Sequence, residues 1–288
     1  MENLGLELTY QQRIEALRAH KLAETREKQQ VVGAMNHDDH ALILPPAERR
    51  QVVQAISGSG MPITDVLLTG VNIQPNHPCG GFFGPLAVGG NFGALLTAHP
   101  PYIDVHSSLA GAYMVNFRSY VQHGWNPDLS FDHLKPLHQR YDLVPGIGAA
   151  QHFCQDLAIG LELGWGGLAS KIARCRQAHG PEKAAFYDGL QAVVEGMQAW
   201  IGHNAAEAHR LAEMEPEGWK RRNLQEMAAI NDRLVSDPPR TFWEACQWML
   251  WYQMAARMFN GSGSLGRLDV LLAPYFQRDI DDGVLDEE

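Results

Sequence analysis

The chain has 288 residues, 45% hydrophobic and 19% charged, which is enough apolar material for one large core or two modest ones. A formal net charge of −10, with lysines and arginines scattered along the chain, argues against a nucleic-acid partner. No run reaches the roughly 18 uninterrupted apolar residues that suggest a membrane span, and the opening stretch lacks the apolar core of a signal peptide.

In chain order, Thr9 to Gln29 read as an exposed helix rich in Gln, Glu, Arg and Lys. A short helix is expected at Ala47–Ile56, entered through Pro45-Pro46, where a missing N–H does no harm. Val66, Leu67 and Leu68, bounded by Pro62 and Gly70, suggest a short buried strand or a strand-like connector. Residues 72–101 are dense in Gly and Pro, so turns are expected there, with Phe82, Phe83 and Phe92 packing them onto the body.

The second half reads as helical. Phe186, Leu190, Val193, Val194, Met197, Trp200, Ile201, Ala208 and Leu211 follow helical spacing after Pro181, predicting one helix roughly 45 Å long. Lys220-Arg221-Arg222 fits a solvated helix face. Thr241 with Glu244 three residues on is a capping-box signature. Phe242, Trp243, Cys246, Trp248, Met249, Leu250, Trp251, Met254 and Phe259 then cover nearly every face of a helix, which must be buried. Asn260-Gly261 is a helix stop, followed by small residues entering a strand around Leu268–Leu272. The acidic residues after Gly283 resemble the first turn of a further helix.

Several patterns could carry chemistry. Gly261, Gly263 and Gly266 fit G-x-G-x-x-G, but a dinucleotide loop requires a preceding strand, and a helix is expected there. His37, Asp38, Asp39 and His40 have metal-ligand chemistry, yet adjacent residues point apart and a solvated loop is the simpler reading. The four cysteines, Cys79, Cys154, Cys175 and Cys246, form no C-x-x-C pair, which suggests free thiols in a reducing, cytoplasmic setting. Cys246 lies mid-helix and should be inert, whereas Cys79 between Pro78 and Gly80 is the loop thiol. The thirteen histidines include no H-E-x-x-H pair, and each is expected to be a hydrogen-bonded structural residue. No metal site and no catalytic residue is assigned.

Taken together, several stretches resemble the glycyl radical enzymes related to pyruvate formate-lyase. "PPRTFWEACQWMLWY" (Pro238 to Tyr252) is similar to a P-x-R/T-F-x-E-A-x-Q helix, and "SLGRLDVLLAPYFQRDIDDG" (Ser264 to Gly283) to S-x-G-R-x-D-x-x-L-x-P-Y-x-x-x-D. "QHFCQDLAIGLELGWGGLASKI" (Gln151 to Ile172) resembles H-x-x-x-D followed by two glycines, met by His152, Asp156, Gly164 and Gly167. "ITDVLLTGVN" (Ile63 to Asn72) resembles an early strand-like segment. The resemblance runs in order from about Gln12 to Gly283, with no internal domain boundary.

The resemblance implies a mainly α fold with some β, forming the N-terminal half of an α/β barrel. It implies radical bond cleavage in anaerobic metabolism, of the lyase, dehydratase or formate-lyase-like acyltransferase type. The radical cysteine and glycine of such enzymes sit in Cys-x-Glu and Arg-Val-x-Gly loops, and neither motif occurs here. This chain is therefore expected to bind no cofactor itself and to be inactive alone. The glycyl radical would lie in the missing half, installed by an activase using S-adenosylmethionine and an iron–sulfur cluster. Expected partners are that half or a second subunit, the activase, a small-molecule substrate and further copies in a homo-oligomer. By the same resemblance His152 and either Ser262 or Ser264 would contact substrate, while Arg267 and Asp269 would form a structural ion pair on a strand. A truncated product, one chain of a split enzyme, and a non-catalytic remnant that binds a ligand or partner all remain open.

Overall fold

The computed structural model describes residues 9–32, 74–78, 81–111, 126, 128, 132–142, 155–260 and 266–285. Every regular element among them is helical: α1 (Tyr10–Val32), α2 (Pro85–Ala98), α3 (Lys135–Arg140), α4 (Leu157–Ala178), α5 (Ala184–Met214), α6 (Gly218–Leu234), α7 (Phe242–Asn260) and α8 (Leu268–Asp281), with short 3-10 turns before α3 and α5. The helix expected at Ala47–Ile56 and the strand expected at Val66–Leu68 lie outside the described residues. No helix among the described residues is long and apolar enough to cross a membrane.

Helix α5 is the axis. Its 31 residues span about 46 Å, and α2, α4 and α6 all pack against it. Val194, Met197, Trp200, Ile201, Ala205, Ala208 and Ala212 form its buried stripe. Phe186 and Leu190, expected on that stripe, are instead largely exposed.

Residues 85–98 overturn the expectation of turns. Gly89, Gly90 and Gly93 each weaken a helix by about 1 kcal/mol relative to Ala, which is why the stretch reads as loop. Tertiary contact reverses the preference. A methyl group added at Gly89 would strike the backbone of Gly189, and one at Gly93 would strike that of Ala192. From the other side, Gly189 abuts Pro85 and Gly196 abuts Gly93. The two backbones approach along this seam as only glycines permit, and Phe92, Leu95 and Leu96 are buried beside it.

Helix α7 crosses the interior as expected, with Trp248 and Trp251 fully buried and Met249, Met254 and Met258 around them. The capping signature is realised in part. Thr241 Oγ1 accepts from the Glu244 N–H at 3.2 Å, but the Glu244 carboxylate turns to the Arg240 N–H and to Arg233. Helix α1 does have a full capping box: Thr9 Oγ1 accepts from the Gln12 N–H at 3.3 Å, and Gln12 Oε1 accepts from the Thr9 N–H at 2.9 Å.

A loop without regular structure, Tyr102–Gly111, is fixed by buried amide side chains. Asn204 Oδ1 accepts from the Tyr102 N–H at 2.9 Å. Asn223 Nδ2 donates to the carbonyls of Val105 and Ser107 at 3.2 and 2.7 Å. Gln247 accepts from the Ala110 N–H at 2.7 Å and donates to the Ala110 carbonyl at 2.9 Å. A buried loop needs such partners, because each unpaired backbone group costs about 1–3 kcal/mol.

Candidate functional site

The strand expected around Leu268–Leu272 is the first part of helix α8. Arg267 is the residue before that helix and Asp269 lies in its first turn, where a carboxylate complements the helix dipole. Their ion pair does form, with Arg267 Nε and Nη2 donating to Asp269 at 2.9 and 2.6 Å. Both side chains are exposed, and the pair bridges residues two apart, so it joins no neighbouring element. Gly266 has φ +66°, the left-handed conformation that turns the chain into α8. A helix therefore does follow the glycine pattern, but helix α7 stands where a dinucleotide loop needs a strand.

His152, Ser262 and Ser264 lie outside the described residues, as do the His37–His40 cluster, Cys79 and Cys154. The flanks of the substrate-binding candidates are described, and α7 gathers them. Gln253 Nε2 donates to Gln155 Oε1 at 3.3 Å, tying α7 to the residues just after His152. Burial, and then the nearby Asp156 carboxylate, push the Tyr252 phenol above its ordinary range. Asp156 itself caps α4, accepting from the Ile159 N–H at 3.4 Å. Asn260 closes α7 on one side of residues 261–265, and α8 opens on the other.

The remaining motif residues are architectural. Gly164 breaks α4 with φ +63° and ψ 179°, and a methyl group there would lie 2.5 Å from the Asp237–Pro238 backbone. Gly166 N–H then donates to the Ser236 carbonyl at 2.8 Å. Burial favours protonation of Glu244, yet its net pKa is lowered, because Arg233, the Arg240 N–H and the Arg240 charge outweigh it. Tyr275 reaches from α8 to the Leu161 carbonyl in α4 at 3.2 Å. Asp279 is buried and accepts from the Phe242 N–H at 2.8 Å, so α8 caps the start of α7. Cys246 is free, and burial pushes its thiol up, away from the reactive thiolate.

Residues 142–288, just over half of the chain, match the family model described as pyruvate formate lyase-like. The chain belongs to the glycyl radical enzyme family. Among relatives in this family, indoleacetate decarboxylase of Tractidigestivibacter scatoligenes is 41% identical over 113 residues, which cover 37% of this chain and 12% of that protein. Isethionate sulfite-lyase of Desulfovibrio desulfuricans is 31% identical over 109 residues, 37% of this chain and 13% of that protein. A glycyl radical enzyme from Archaeoglobus fulgidus, solved by crystallography, superposes with a TM-score of 0.58 at 18% identity, covering 90% of this chain and 38% of that one. The likeness in structure shows the shared fold. The matched parts span about an eighth of those two curated relatives and under two fifths of the solved glycyl radical enzyme.

One cluster was missed by the sequence reading. His20 on α1 meets Asp104 and His106 on the Tyr102–Gly111 loop, three groups brought together across more than eighty residues. Burial alone would raise the Asp104 pKa. Hydrogen bonds from His20, Lys21 and the His106 N–H instead lower it to about 2. No local pattern reveals this arrangement, since α1 and the loop meet only in the folded chain.

Proposed function

We propose that this chain is the N-terminal portion of a glycyl radical enzyme, contributing one half-barrel to a catalytic α/β barrel. The observation that carries this reading is the glycyl radical family match over residues 142–288, on a chain that superposes on only 38% of a solved member. The reaction class is radical cleavage, as in a lyase or dehydratase, with a formate-lyase-like acyl transfer as the third form. Decarboxylase and sulfite-lyase names among the relatives favour the lyase form, and a probable dehydratase among them favours the second.

The sequence does not fit the radical-bearing role itself. None of the cysteines stands in a Cys-x-Glu motif, and no Arg-Val-x-Gly occurs. The radical chemistry then belongs to the remaining half or to a second subunit, charged by an S-adenosylmethionine and iron–sulfur activase. Homo-oligomerisation and a cytoplasmic, anaerobic setting go with this proposal. His152, with Ser262 or Ser264, supplies polar contacts to a small-molecule substrate. Apolar side chains left uncovered on and just beyond α8, namely Val270, Phe276, Val284 and Leu285, suit a face that the other half covers.

The test begins with the DNA downstream of the codons for this chain. A frame encoding Cys-x-Glu and a C-terminal Arg-Val-x-Gly should be present, and its product should combine with this chain. Anaerobic activation of the combined protein should give a glycyl radical signal by electron paramagnetic resonance. Absence of such a frame throughout the neighbourhood would favour the second reading, a non-catalytic scaffold that binds a ligand or partner.

A further inference from the structure

We propose that His20, Asp104 and His106 form a binding site for a zinc-class divalent metal ion that fastens α1 to the Tyr102–Gly111 loop. The ligand atoms, His20 Nδ1, an Asp104 carboxylate oxygen and His106 Nδ1, all lie within 4.8 Å of one another. His20 Nδ1 is 2.8 Å from Asp104 Oδ2, and His106 Nδ1 is 3.4 Å from Asp104 Oδ1. Two imidazole nitrogens and one carboxylate oxygen are a zinc donor set. Bonds of about 2.0–2.1 Å in tetrahedral geometry place ligand atoms roughly 3.4 Å apart. With no pair of ligand atoms more than 4.8 Å apart, shifts of about 1.4 Å or less would admit an ion.

Two features distinguish this cluster from an ordinary surface ion pair. His106 Nδ1 is buried and makes no hydrogen bond, and it faces the Asp104 carboxylate at 3.4 Å. The carboxylate is also held in place from behind, because the His106 N–H donates to Asp104 Oδ1 at 3.0 Å. His20 is exposed on the outer side, which leaves the fourth position open to water.

Lys21 is the competitor. Its ammonium lies 2.9 Å from Asp104 Oδ2 and satisfies part of the carboxylate's charge. It also lies 3.1 Å from the Tyr102 hydroxyl and 5.0 Å from the centroid of that ring, so it keeps a partner when an ion arrives. The site is thus metal-binding with a built-in lysine counterweight, and removing the lysine should tighten it.

The experiment uses the full 288-residue chain, stripped with a chelator and titrated with zinc against a chromophoric competitor. Other histidines of the thirteen can also take up zinc, so the readout is the difference between variants. One equivalent should weaken at least ten-fold in both His20→Ala and His106→Ala, and tighten several-fold in Lys21→Met. Zinc should slow amide exchange in α1 in the wild type and leave it unchanged in His106→Ala. Circular dichroism on each variant verifies folding, and His20→Ala, at an exposed position, keeps the test open if His106→Ala unfolds. The proposal is overturned if zinc affinity and stoichiometry are the same in His20→Ala as in the wild type. It is equally overturned if zinc leaves α1 exchange unaltered, or if neither the wild type nor Lys21→Met binds the ion.

Discussion

Helices α7 and α1 both hold the Tyr102–Gly111 loop, and they do so with different kinds of contact. Helix α7 presses Trp251 and Met254 against Gly111, pairs Gln247 with Ala110, and sends the Trp243 N–H to the Ser108 carbonyl at 2.8 Å. Helix α1 reaches the same loop through charged side chains. Arg13 donates to the His106 carbonyl at 3.1 Å and to Ser108 Oγ at 2.9 Å, and pairs with Asn223, while His20 and Lys21 meet Asp104. One attachment is apolar packing with satisfied amides, indifferent to salt. The other is a set of charge contacts, with Asp104 buried and His20 exposed, which salt and pH should loosen.

The largest expected effect is at the packed end. Trp251 is fully buried, stands edge-to-face with Trp200, and donates its indole N–H to Asn231 at 2.7 Å. Trp251→Ala should cost about 4 kcal/mol, combining a large cavity with a stranded amide. Urea denaturation followed by circular dichroism measures it. A loss under about 1 kcal/mol would mean that α7 is not the centre of the core.

Next comes the seam between α2 and α5. Gly89→Ala gains about 1 kcal/mol of helix propensity, yet its methyl group meets backbone that cannot rotate aside. The expected net result is destabilisation of about 2 kcal/mol in the same assay. A stabilised variant would show that the helices can separate without loss, and the seam would cease to explain why residues 85–98 are helical.

Helix α1 should respond to conditions more than to volume. Asp104 has its pKa lowered from 3.8 to about 2, so its paired form contributes stability that is full above 3.8 and lost as pH falls through about 2. The gap in Tm between the wild type and Asp104→Asn, in metal-free buffer, should therefore be constant above pH 4 and close on acidification. Raising salt to about 1 M should speed exchange of the α1 amides while those of α7 keep their protection. Equal salt sensitivity in both helices would erase the contrast between them.

The sequence revealed these two regions unequally. The all-round apolar pattern of α7 made its burial readable, because Trp and Met at every turn have no other place to go. The length of α5 was readable from its helical spacing, but Phe186 and Leu190 showed that periodicity does not say where a neighbouring helix ends. Helix α2 was hidden, since its glycines weaken it locally and only α5 restores the balance. The strand expected after Gly266 is a helix instead, because the short apolar run Leu268–Leu272 fits either periodicity, and Asp269 suits a helix start as well as a strand. The Asp104 cluster was illegible, because its members are joined by tertiary contact alone.

The smallest effect is expected where the sequence reading placed structural weight. Arg267 and Asp269 pair across two residues in full contact with water, and neither reaches another helix. Asp269 is pulled below the ordinary carboxylate range by the Arg267 hydrogen bond, but an exposed pair of this kind is screened and gains little from being ordered. Arg267→Ala should leave the urea midpoint within replicate scatter of the wild type, in contrast to Trp251→Ala. The same variant should be assayed in the combined, activated enzyme. An unchanged midpoint with a fall in turnover would move Arg267 from scaffold to substrate loop, because the pair sits at the exit of residues 261–265 and not inside the core. A shifted midpoint with intact turnover would restore the structural role and show that something beyond this chain's own helices leans on it.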